Sequence, residues 1–543
     1  MANGAGFVRV PPQSTGRRVS TEVRSQLGFD NLISSANIGD IVVGATSNAQ
    51  GEITGVTVDG FPAGEGLLWL ANVDGTFIDN EPLEVSSVQI AQVNITTALP
   101  FETYDYSHQV LVDPDNPRRR QRIDRFGATV NTFEDGSPIF GSFGTLSVGQ
   151  PQVIKDYRFA YDSQDSQFWD QTSGTGVVSW ESNGGRMLFS TGTASGDLAS
   201  RTSNFYHPYA PGVGHEADMT VRHGDVGKTG NRRRWGYFDD DNGVFFELDG
   251  TDLYVVLRSN VSGSVVDTRI AQSDFNKDRL DGSGNIEFTL DITSANIYWI
   301  DLQWLGAGRI RFGITEPSGS RIVAHVIQNA NMNVEFPYMR TATLPLRFEN
   351  ENTGVAASTS EMRWVCGTVK HSTRYLIAGD RRTANSGLGT VATGSEVPVY
   401  AIRPALTYEG RTNRVIARAM SIDLTNIANT GDGPVIFRLR LFDDPAAALT
   451  GEAFAAVSTV SAFEVDTTAT AINTASSIEL GSFVVVANDT HHIDNDDNRE
   501  IHSWELFLGA DAVSQPGIVI TAECLSGTNA DVLAAVNWEE YKF

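Results

Sequence analysis

The sequence predicts an all-β protein of tandem antiparallel β-sandwich domains, jelly-roll-like in topology, preceded by a small N-terminal β module. Three observations predict this fold class. Short runs alternate between apolar and polar residues with a period of two, glycine-containing turns separate these runs, and no heptad repeat or long amphipathic helical pattern occurs. With 543 residues, 52 of them glycine, the chain is long enough for several domains that each bury a core.

The first 150 residues divide into three parts. Residues 1–30 are rich in Pro, Ser, Thr and Arg and predict an extended N-terminal arm. Residues 31–100 contain alternating runs such as GDIVVGATS and EITGVTV, and this glycine-punctuated pattern predicts a small β module. Residues 101–150 carry a turn with two prolines and the densest basic run of the chain, and they are predicted to be a connector.

Residues 151–385 are predicted to form a central β-sandwich. The run 245–259 indicates a strand, a tight turn at Asp249 and Gly250, and a second strand. Sequential hairpins of this kind favour an antiparallel arrangement over any βαβ unit.

Along residues 297–305 the alternation predicts a strand with two different faces. One face carries Tyr298, Ile300, Leu302 and Trp304. The other face carries Trp299, Asp301 and Gln303. We therefore expect the first face in the core and the second partly solvated, as in a two-sheet sandwich.

Residues 386–543 repeat this character with a different sequence and predict a second, C-terminal sandwich. Examples of its strands are VPVYAIR at 397–403 and VIFRLRL at 435–441. Loops rich in Asp, Asn, Thr and Ser connect these runs.

The charge balance excludes some partners. The 40 basic and 66 acidic residues give a net charge of −26, which disfavours nucleic acid binding because phosphate repels such a surface. No apolar run approaches the roughly 20 residues that span a bilayer, so membrane insertion is not expected. The N-terminus lacks a signal-peptide pattern, and we expect synthesis in the cytoplasm.

The sequence carries no recognisable catalytic motif. GxSxG, HExxH and P-loop patterns are all absent. We therefore predict that the protein is not an enzyme, with no catalytic residue and no cofactor-binding residue.

One acidic loop is a weak calcium candidate. Asp494, Asp496, Asn498 and Glu505 stand at the first, third, fifth and twelfth positions of a calcium-binding loop. Arg499 stands at the sixth position, where a sharp turn needs glycine. An ordinary solvated hairpin is the alternative, and no metal is assigned.

Four aromatic residues in the central region are candidates for a glycan-stacking platform. They are Trp235, Tyr237, Trp299 and Trp304. Exposed Trp and Tyr beside carboxylates hold sugars on many β-sandwiches, whereas aromatic residues on strands also fill cores. Both interpretations are open at this point.

Two basic segments are candidates for docking to an acidic neighbour. The residues concerned are Arg17, Arg18, Arg118, Arg119, Arg120 and Arg122. A basic run attracts an acidic surface, and the alternative is a solvated linker whose arginines pair with nearby carboxylates.

Three stretches of the central region carry a family resemblance. They are RWGYFDDDNGVFFEL at 234–248, LDGSG at 280–284 and IYWIDLQWLGAGRIRFG at 297–313, with YHPYAPGVG at 206–214 as a further string. In these strings the chain resembles virion structural proteins of tailed bacteriophages, and most closely the VrlC-like proteins of T4-like cyanophages. The resemblance is strongest over residues 200–350 and carries no catalytic motif.

The resemblance implies a structural component of a tailed phage virion, in the tail, baseplate or fibre apparatus, that acts by protein–protein assembly. Its implied partners are other virion proteins and further copies of itself, with a trimer favoured, and its implied location is the virion. Two alternatives stay open. One is a tail protein that binds or depolymerises a host surface glycan, and the other is a capsid decoration protein.

Overall fold

The computed structural model describes residues 23–34, 37–57, 64–94, 104–105, 110–113, 116–123, 129–130, 151–284, 288–332, 337–373, 379–427, 433–494 and 505–542. The chain divides into two compact units, Met1–Glu134 and Asp135–Phe543. The described residues form antiparallel sheets with a few single helical turns, which confirms the predicted all-β class. None of these described helices has the length and apolar character that a membrane crossing requires.

The first unit contains a seven-stranded sheet and a three-stranded sheet. Its strands are β1 Val23–Asp30, β2 Ile41–Gly44, β3 Gln50–Thr57, β4 Gly66–Asp74, β5 Pro82–Val85, β6 Val88–Val93, β7 Tyr104–Asp105, β8 Val110–Asp113, β9 Asn116–Ile123 and β10 Thr129–Val130. The larger sheet has the order β4-β3-β2-β5-β6-β1-β7, and β1 also pairs with β4, so this sheet closes on itself. Leu27, Ile53 and Leu70 are among the residues that fill its interior.

The predicted boundaries of this region differ from the observed strands. Residues 23–30 were expected in an extended arm, but they form β1, whose pairing with β4 and β6 gives its backbone groups partners. The expected connector contains β8, β9 and β10, which form the three-stranded sheet. The arm residues 1–22 lie outside the described part of the chain.

Among the described residues, the central sandwich of the second unit has fifteen strands in two sheets. They are β11 Gln152–Arg158, β12 Phe168–Ser173, β13 Val177–Glu181, β14 Arg186–Thr191, β15 Leu198–Ser203, β16 His215–His223, β17 Arg232–Phe238, β18 Gly243–Asp249, β19 Asp252–Ser259, β20 Val266–Ala271, β21 Asn296–Leu302, β22 Ile310–Thr315, β23 Arg321–Ile327, β24 Leu346–Glu351 and β25 Ser360–His371. Single 3₁₀ turns lie at Asp165–Gln167, Ser182–Gly184 and Gln272–Asp274.

The two sheets of the central sandwich pack face to face. We call the sheet with the order β12-β15-β24-β17-β18-β19-β20 sheet A, and the sheet with the order β13-β14-β25-β16-β21-β22-β23, to which β11 adds beside β25, sheet B. The aromatic residues Trp235, Phe246, Tyr298 and Phe312 are part of one continuous core between them. Aromatic side chains bury large areas, so they contribute strongly to this packing.

The predicted hairpin around Asp249 and Gly250 is confirmed. Strand β18 pairs with β19 so that Asp249 lies opposite Asp252. Gly250 has φ of +64°, a left-handed conformation that glycine adopts without the steric cost of a Cβ atom. Because Asp249 pairs with Asp252, the two loop residues are Gly250 and Thr251, so the turn lies one position later than the predicted Asp249-Gly250 turn.

The described part of the C-terminal sandwich has two six-stranded sheets and two small two-stranded sheets. Its strands are β26 Asp380–Asn385, β27 Gly389–Ala392, β28 Val397–Pro404, β29 Thr407–Tyr408, β30 Arg411–Thr412, β31 Ile416–Ile427, β32 Val435–Phe442, β33 Leu449–Thr450, β34 Ala455–Ala456, β35 Phe463–Asp466, β36 Ala471–Ile472, β37 Ile478–Val485, β38 Asp489–Asp494, β39 Glu505–Leu506, β40 Gly517–Cys524 and β41 Asn529–Tyr541, with a helical turn α1 at Pro445–Ala448 and a 3₁₀ turn at Thr474–Ser476.

One C-terminal sheet has the order β26-β41-β31-β38, with β27 beside β41 and β39 beside β31. The other has the order β34-β35-β28-β40-β32-β37. Strand β26 was expected in the central sandwich, but it pairs with β41 over six residue pairs and therefore belongs to the C-terminal one. Phe437 and Trp538 are part of the core between the two sheets.

Candidate functional site

The outer side of sheet A carries a dense set of paired charges, which we call the charged face. On β17 and β18 the core residues alternate with Arg234 and Glu247, whose side chains lie on the opposite side of the sheet. Beneath these charges Phe238, Phe245 and Val256 form a small apolar cluster of their own. The charged face consists of Arg232, Arg234, Arg258, Arg269, Arg347, Asp240, Glu247, Asp249, Asp267, Glu349 and Glu351.

Arginine side chains join neighbouring strands of the charged face. Arg234 donates from Nε to Oε2 of Glu247 at 3.0 Å and from Nη1 to Oε2 of Glu349 at 3.2 Å. Within β24, Arg347 donates from Nη2 to Oε1 of Glu349 at 2.8 Å and so holds that carboxylate in place. The guanidinium of Arg258 lies 5.2 Å from the ring centroid of Phe245, so arginine also covers the apolar cluster.

These contacts keep the central carboxylate ionised. Burial raises the pKa of Glu349, but the neighbouring Arg347, Arg234 and Arg258 outweigh that effect, and the pKa of Glu349 lies below its ordinary value. Glycoside hydrolysis by paired carboxyl groups needs one group with a raised pKa as the general acid. Glu349 is therefore a structural ion-pair partner in the charged face, and its pKa is shifted away from that role.

Two of the four predicted platform residues lie in the core between the sheets. Trp235 and Tyr237 lie in the interior between the sheets, and both are fully buried. Tyr237 donates its hydroxyl hydrogen to the main-chain oxygen of Ala342 at 2.8 Å. The expectation of a glycan platform at these positions is wrong, because the second sheet covers their rings. The alternative that aromatic residues on strands fill the core is confirmed.

Trp299 lies on the outer side of sheet B, and it is buried there as well. The residue was expected on a partly solvated face, yet only 1% of its surface is exposed. The guanidinium of Arg321 lies 5.1 Å from its ring centroid, and Gly313 leaves room for the indole beside it. Long charged side chains thus cover this face, so Trp299 is unavailable as a stacking surface.

Trp304, the fourth platform candidate, lies in a strained turn. Strand β21 ends at Leu302, and Trp304 and Leu305 have φ values of 26° and 46°. The indole of Trp304 donates to the main-chain oxygen of Met339 at 3.1 Å, and its ring meets that of Tyr209 edge to face. Trp304 is half-buried, whereas Leu305 is exposed at the tip of the turn. Positive φ is unfavourable for bulky residues and often marks a functional position.

The calcium candidates are only partly described. Asp494 lies at the exposed end of β38, and Glu505 accepts a hydrogen bond from Arg418. Asp496 and Asn498 lie outside the described residues. Within the described ranges, no group of three His, Cys, Asp or Glu side chains is placed to hold a metal ion.

Four of the six predicted docking arginines lie on one strand of the first unit. Arg118, Arg119, Arg120 and Arg122 lie on β9. Arg17 and Arg18 lie outside the described part of the chain. The hypothesis of a basic dock stays a prediction.

Buried histidines were not singled out from the sequence. His215 and His223 are fully buried on β16, and no hydrogen-bond partner contacts their ring nitrogens. His207 is also buried, and it contacts the hydroxyl of Tyr157 through Nε2 at 3.0 Å. Burial lowers the pKa of His207 to about 3. The alternation of β16, which places these two histidines in step with Ala217, Met219 and Val221, was the available signal.

A polar and aromatic junction joins the two sandwiches of the second unit. Arg414, which precedes β31, donates to the main-chain oxygen of Gly509 at 2.8 Å, and its guanidinium stacks on Tyr206 of the central sandwich. Phe205 meets Phe507 edge to face with centroids 5.3 Å apart. Tyr206 and Phe205 are both buried. The junction therefore couples the two sandwiches through packed groups as well as through the chain connection.

Comparisons with known proteins do not assign a family. No family model matches the chain, and no curated protein does. Among solved structures, an endo-1,3-β-glucanase from Streptomyces sioyaensis is similar at 10% identity and a TM-score of 0.30, over 41% of this chain and 97% of that one. A legume lectin-like domain from Entamoeba histolytica is similar at 9% identity and a TM-score of 0.26, over 40% and 96% of the two chains.

A protein of unknown function from Shewanella oneidensis is similar at 11% identity and a TM-score of 0.28, over 43% of this chain and 93% of that one. TM-scores this low assign neither an activity nor a ligand to the chain.

Proposed function

We propose that the protein is a structural subunit of a tailed-bacteriophage virion, in the tail, baseplate or fibre apparatus, and that it acts by protein–protein assembly without catalysis. The observation that carries the proposal is the junction at Arg414, which joins two sandwiches into one compact body. Two sandwiches fixed against each other would hold their outer surfaces in a constant relative position, as a subunit that works by assembly requires. The charged face supports the non-catalytic part of the proposal. Its carboxylates form ion pairs with arginines of the same face, so they act as structural groups.

The family resemblance supports the same function. Its strings at 234–248 and 297–313 coincide with the hairpins β17–β18 and β21–β22, which are inner strands of sheets A and B. Residues of these hairpins fill the main core. The resemblance therefore concerns the framework of the central sandwich, and it implies a shared body more than a shared active site.

Localisation on the particle tests the proposal. Purified phage particles are incubated with gold-labelled antibody raised against the full chain and imaged by electron microscopy. We expect label at the tail or baseplate. Label on the head would favour the capsid decoration alternative. Absence of the chain from purified particles, with the protein present in the infected-cell lysate, would overturn the proposal.

Glycan binding is the second candidate function, and the strained turn at Trp304 and Leu305 favours it. The turn holds a half-buried indole beside an exposed aliphatic side chain, a pairing that suits contact with the apolar face of a sugar. Saturable binding of the purified protein to host surface polysaccharide, weakened by Leu305→Asn, would support this function. Leu388→Asn, at another exposed leucine, is the matched control.

The same assay separates binding from depolymerisation. Polysaccharide that keeps its length after incubation with the protein is expected from a binder. Shortened chains would show an enzyme and contradict the non-catalytic assignment.

A further inference from the structure

Residues 206–214, which we call the strap, lie between β15 of sheet A and β16 of sheet B. Seven of these nine residues are buried, so the strap is part of the packed interior and not a surface loop. The amide of His207 donates to the main-chain oxygen of Leu344 at 3.0 Å, and the amide of Gly214 donates to Oγ of Ser372 at 3.1 Å. These contacts hold the two ends of the strap.

The imidazole of His207 holds the strap from within. Its Nδ1 lies 2.9 Å from the main-chain oxygen of Leu344, and its Nε2 lies 3.0 Å from the hydroxyl of Tyr157 on β11. A main-chain oxygen can only accept, so Nδ1 donates and Nε2 accepts the hydroxyl hydrogen. Both contacts therefore use the neutral ring. Protonation would make Nε2 a second donor and would reverse the contact with Tyr157.

His215 and His371 lie beside the strap and face each other. They are directly opposite in the pairing of β16 with β25, and their ring centroids are 5.3 Å apart. Nε2 of His371 donates to the main-chain oxygen of Pro208 in the strap at 3.1 Å. Both ring nitrogens of His215 are buried without a hydrogen-bond partner. A proton on His215 would therefore create a buried cation without an acceptor, next to a second imidazole.

The surroundings of these three rings disfavour a positive charge. Burial, with the cation of Lys155 adding to it, lowers the pKa of His207 to about 3. Burial, with His371 nearby, holds the pKa of His215 well below its ordinary value, and burial also lowers the pKa of His371. The tyrosines near the rings are Tyr157, Tyr209 and Tyr237, and the carboxylates that act on these tyrosines are Asp156, Asp239 and Glu505.

The strap begins at the junction between the two sandwiches. Tyr206, its first residue, stacks on the guanidinium of Arg414. Two positions earlier, Oδ1 of Asn204 accepts a hydrogen bond from the amide of Ala510 at 3.1 Å. Displacement of the strap would therefore withdraw groups through which the central sandwich contacts the C-terminal one.

We infer that acid releases the strap: protonation of His207, His215 and His371 displaces it from the central sandwich and loosens the junction. Above pH 6.5 the rings are neutral whether the strap is closed or open, and the closed form is favoured. Below pH 6.5 the open form takes up protons that the closed form excludes, so opening increases as the pH falls. This inference goes beyond the proposed function and does not depend on where the protein acts.

Hydrogen–deuterium exchange of the full-length protein, read by mass spectrometry at pH 7.5 and 5.5, tests the release. Exchange rates are corrected for the intrinsic effect of pH, and the method detects an open form even when it is a small minority. The strap and the amide of Ala510 are expected to lose protection between the two pH values by about tenfold for each of the three histidines. Protection retained at either place would overturn the proposal.

Two phenylalanine variants separate release of the strap from global unfolding. His215→Phe removes one titrating ring and no hydrogen bond, so it is expected to reduce the acid-induced loss of protection in the strap about tenfold. His223→Phe, at the other end of β16, is the matched control and is expected to leave that loss unchanged. An unaffected His215→Phe variant, or an equal reduction by His223→Phe, would overturn the proposal. The exchange profile of the unmodified protein still decides if His215→Phe does not fold.

Discussion

The guanidinium of Arg414 lies 4.0 Å from the ring centroid of Tyr206, and this contact bridges the two sandwiches of the second unit. The same guanidinium holds the main-chain oxygens of Gly509 and Ala510. The amide of Ala510 in turn donates to Oδ1 of Asn204 at 3.1 Å. One side chain therefore organises both partners of the junction, and its removal has a specific expected consequence.

Replacement of Arg414 by alanine is expected to uncouple the sandwiches. The variant loses a cation–π contact and two hydrogen bonds to main-chain oxygens, together about 2 kcal/mol of junction free energy. Scanning calorimetry is expected to resolve two sandwich transitions in place of a coupled one. Arg403→Ala is the control, because Arg403 stacks on Phe454 inside the C-terminal sandwich. The role assigned to Arg414 is wrong if both variants keep a coupled transition.

Acid is expected to destabilise the central sandwich as the pH falls below about 6.5, through its buried histidines. Burial lowers the pKa of His215 and His223 well below 6.5, with His371 acting on the first and Arg233 on the second. The folded chain keeps these rings neutral while the unfolded chain takes up protons, so stability is full above pH 6.5 and falls below it. The expected loss is about 1.4 kcal/mol per pH unit for each histidine.

Urea unfolding at intervals between pH 7.5 and 5 measures this loss. His223→Phe removes one buried imidazole from the contact with Trp235. The variant is expected to reduce the slope of the unfolding free energy against pH by the contribution of one proton. A slope equal to that of the unmodified protein would show that His223 does not cause the acid sensitivity.

Gly313 on β22 is expected to tolerate no side chain. A Cβ atom there would lie 2.3 Å from Cζ2 of Trp299 and 2.2 Å from the main-chain oxygen of Ile322. Gly313→Ala is therefore expected to cost about 2 kcal/mol or more, through displacement of the indole or of β23. Denaturant unfolding followed by tryptophan fluorescence measures the cost.

Gly389 supplies the matched control, because the nearest atom to a Cβ built there is 4.0 Å away. Gly389→Ala is expected to change stability by less than about 0.5 kcal/mol. Similar costs for both variants would mean that the indole of Trp299 does not limit the site.

Charge reversal of the basic run tests the predicted dock. Arg118, Arg119 and Arg120 replaced together by glutamate are expected to reduce the amount of the protein in purified particles several-fold, because an acidic partner would then be repelled. Quantitative immunoblotting of particles measures the incorporation. The control replaces three exposed arginines, Arg158, Arg279 and Arg411, by glutamate. It makes the same change in net charge. Normal incorporation of the first variant would contradict the dock.

Part of the architecture follows from local sequence. The hairpin at Asp249 and Gly250 was predictable because alternation and turn chemistry are both encoded within fifteen residues. Strand β1 could not be predicted in this way, because its alternation is weak and its pairing with β4 joins residues far apart in sequence. The platform prediction was wrong at Trp235, Tyr237 and Trp299 for a related physical reason. A period-two alternation shows which residues share a face of a strand. It does not show which of the two faces other segments of the chain will cover.

The sequence by itself determined the all-β class, the antiparallel hairpins and the absence of known catalytic motifs. Each of these depends on side-chain order over a few neighbouring positions. Only the tertiary structure decided which charges are neutralised and which aromatic rings are covered. Arg234 and Glu349 meet although they are 115 positions apart, and Arg321 covers Trp299 from a separate strand. Such encounters depend on which strands become neighbours, and the burial of a face is settled only when those neighbours are in place.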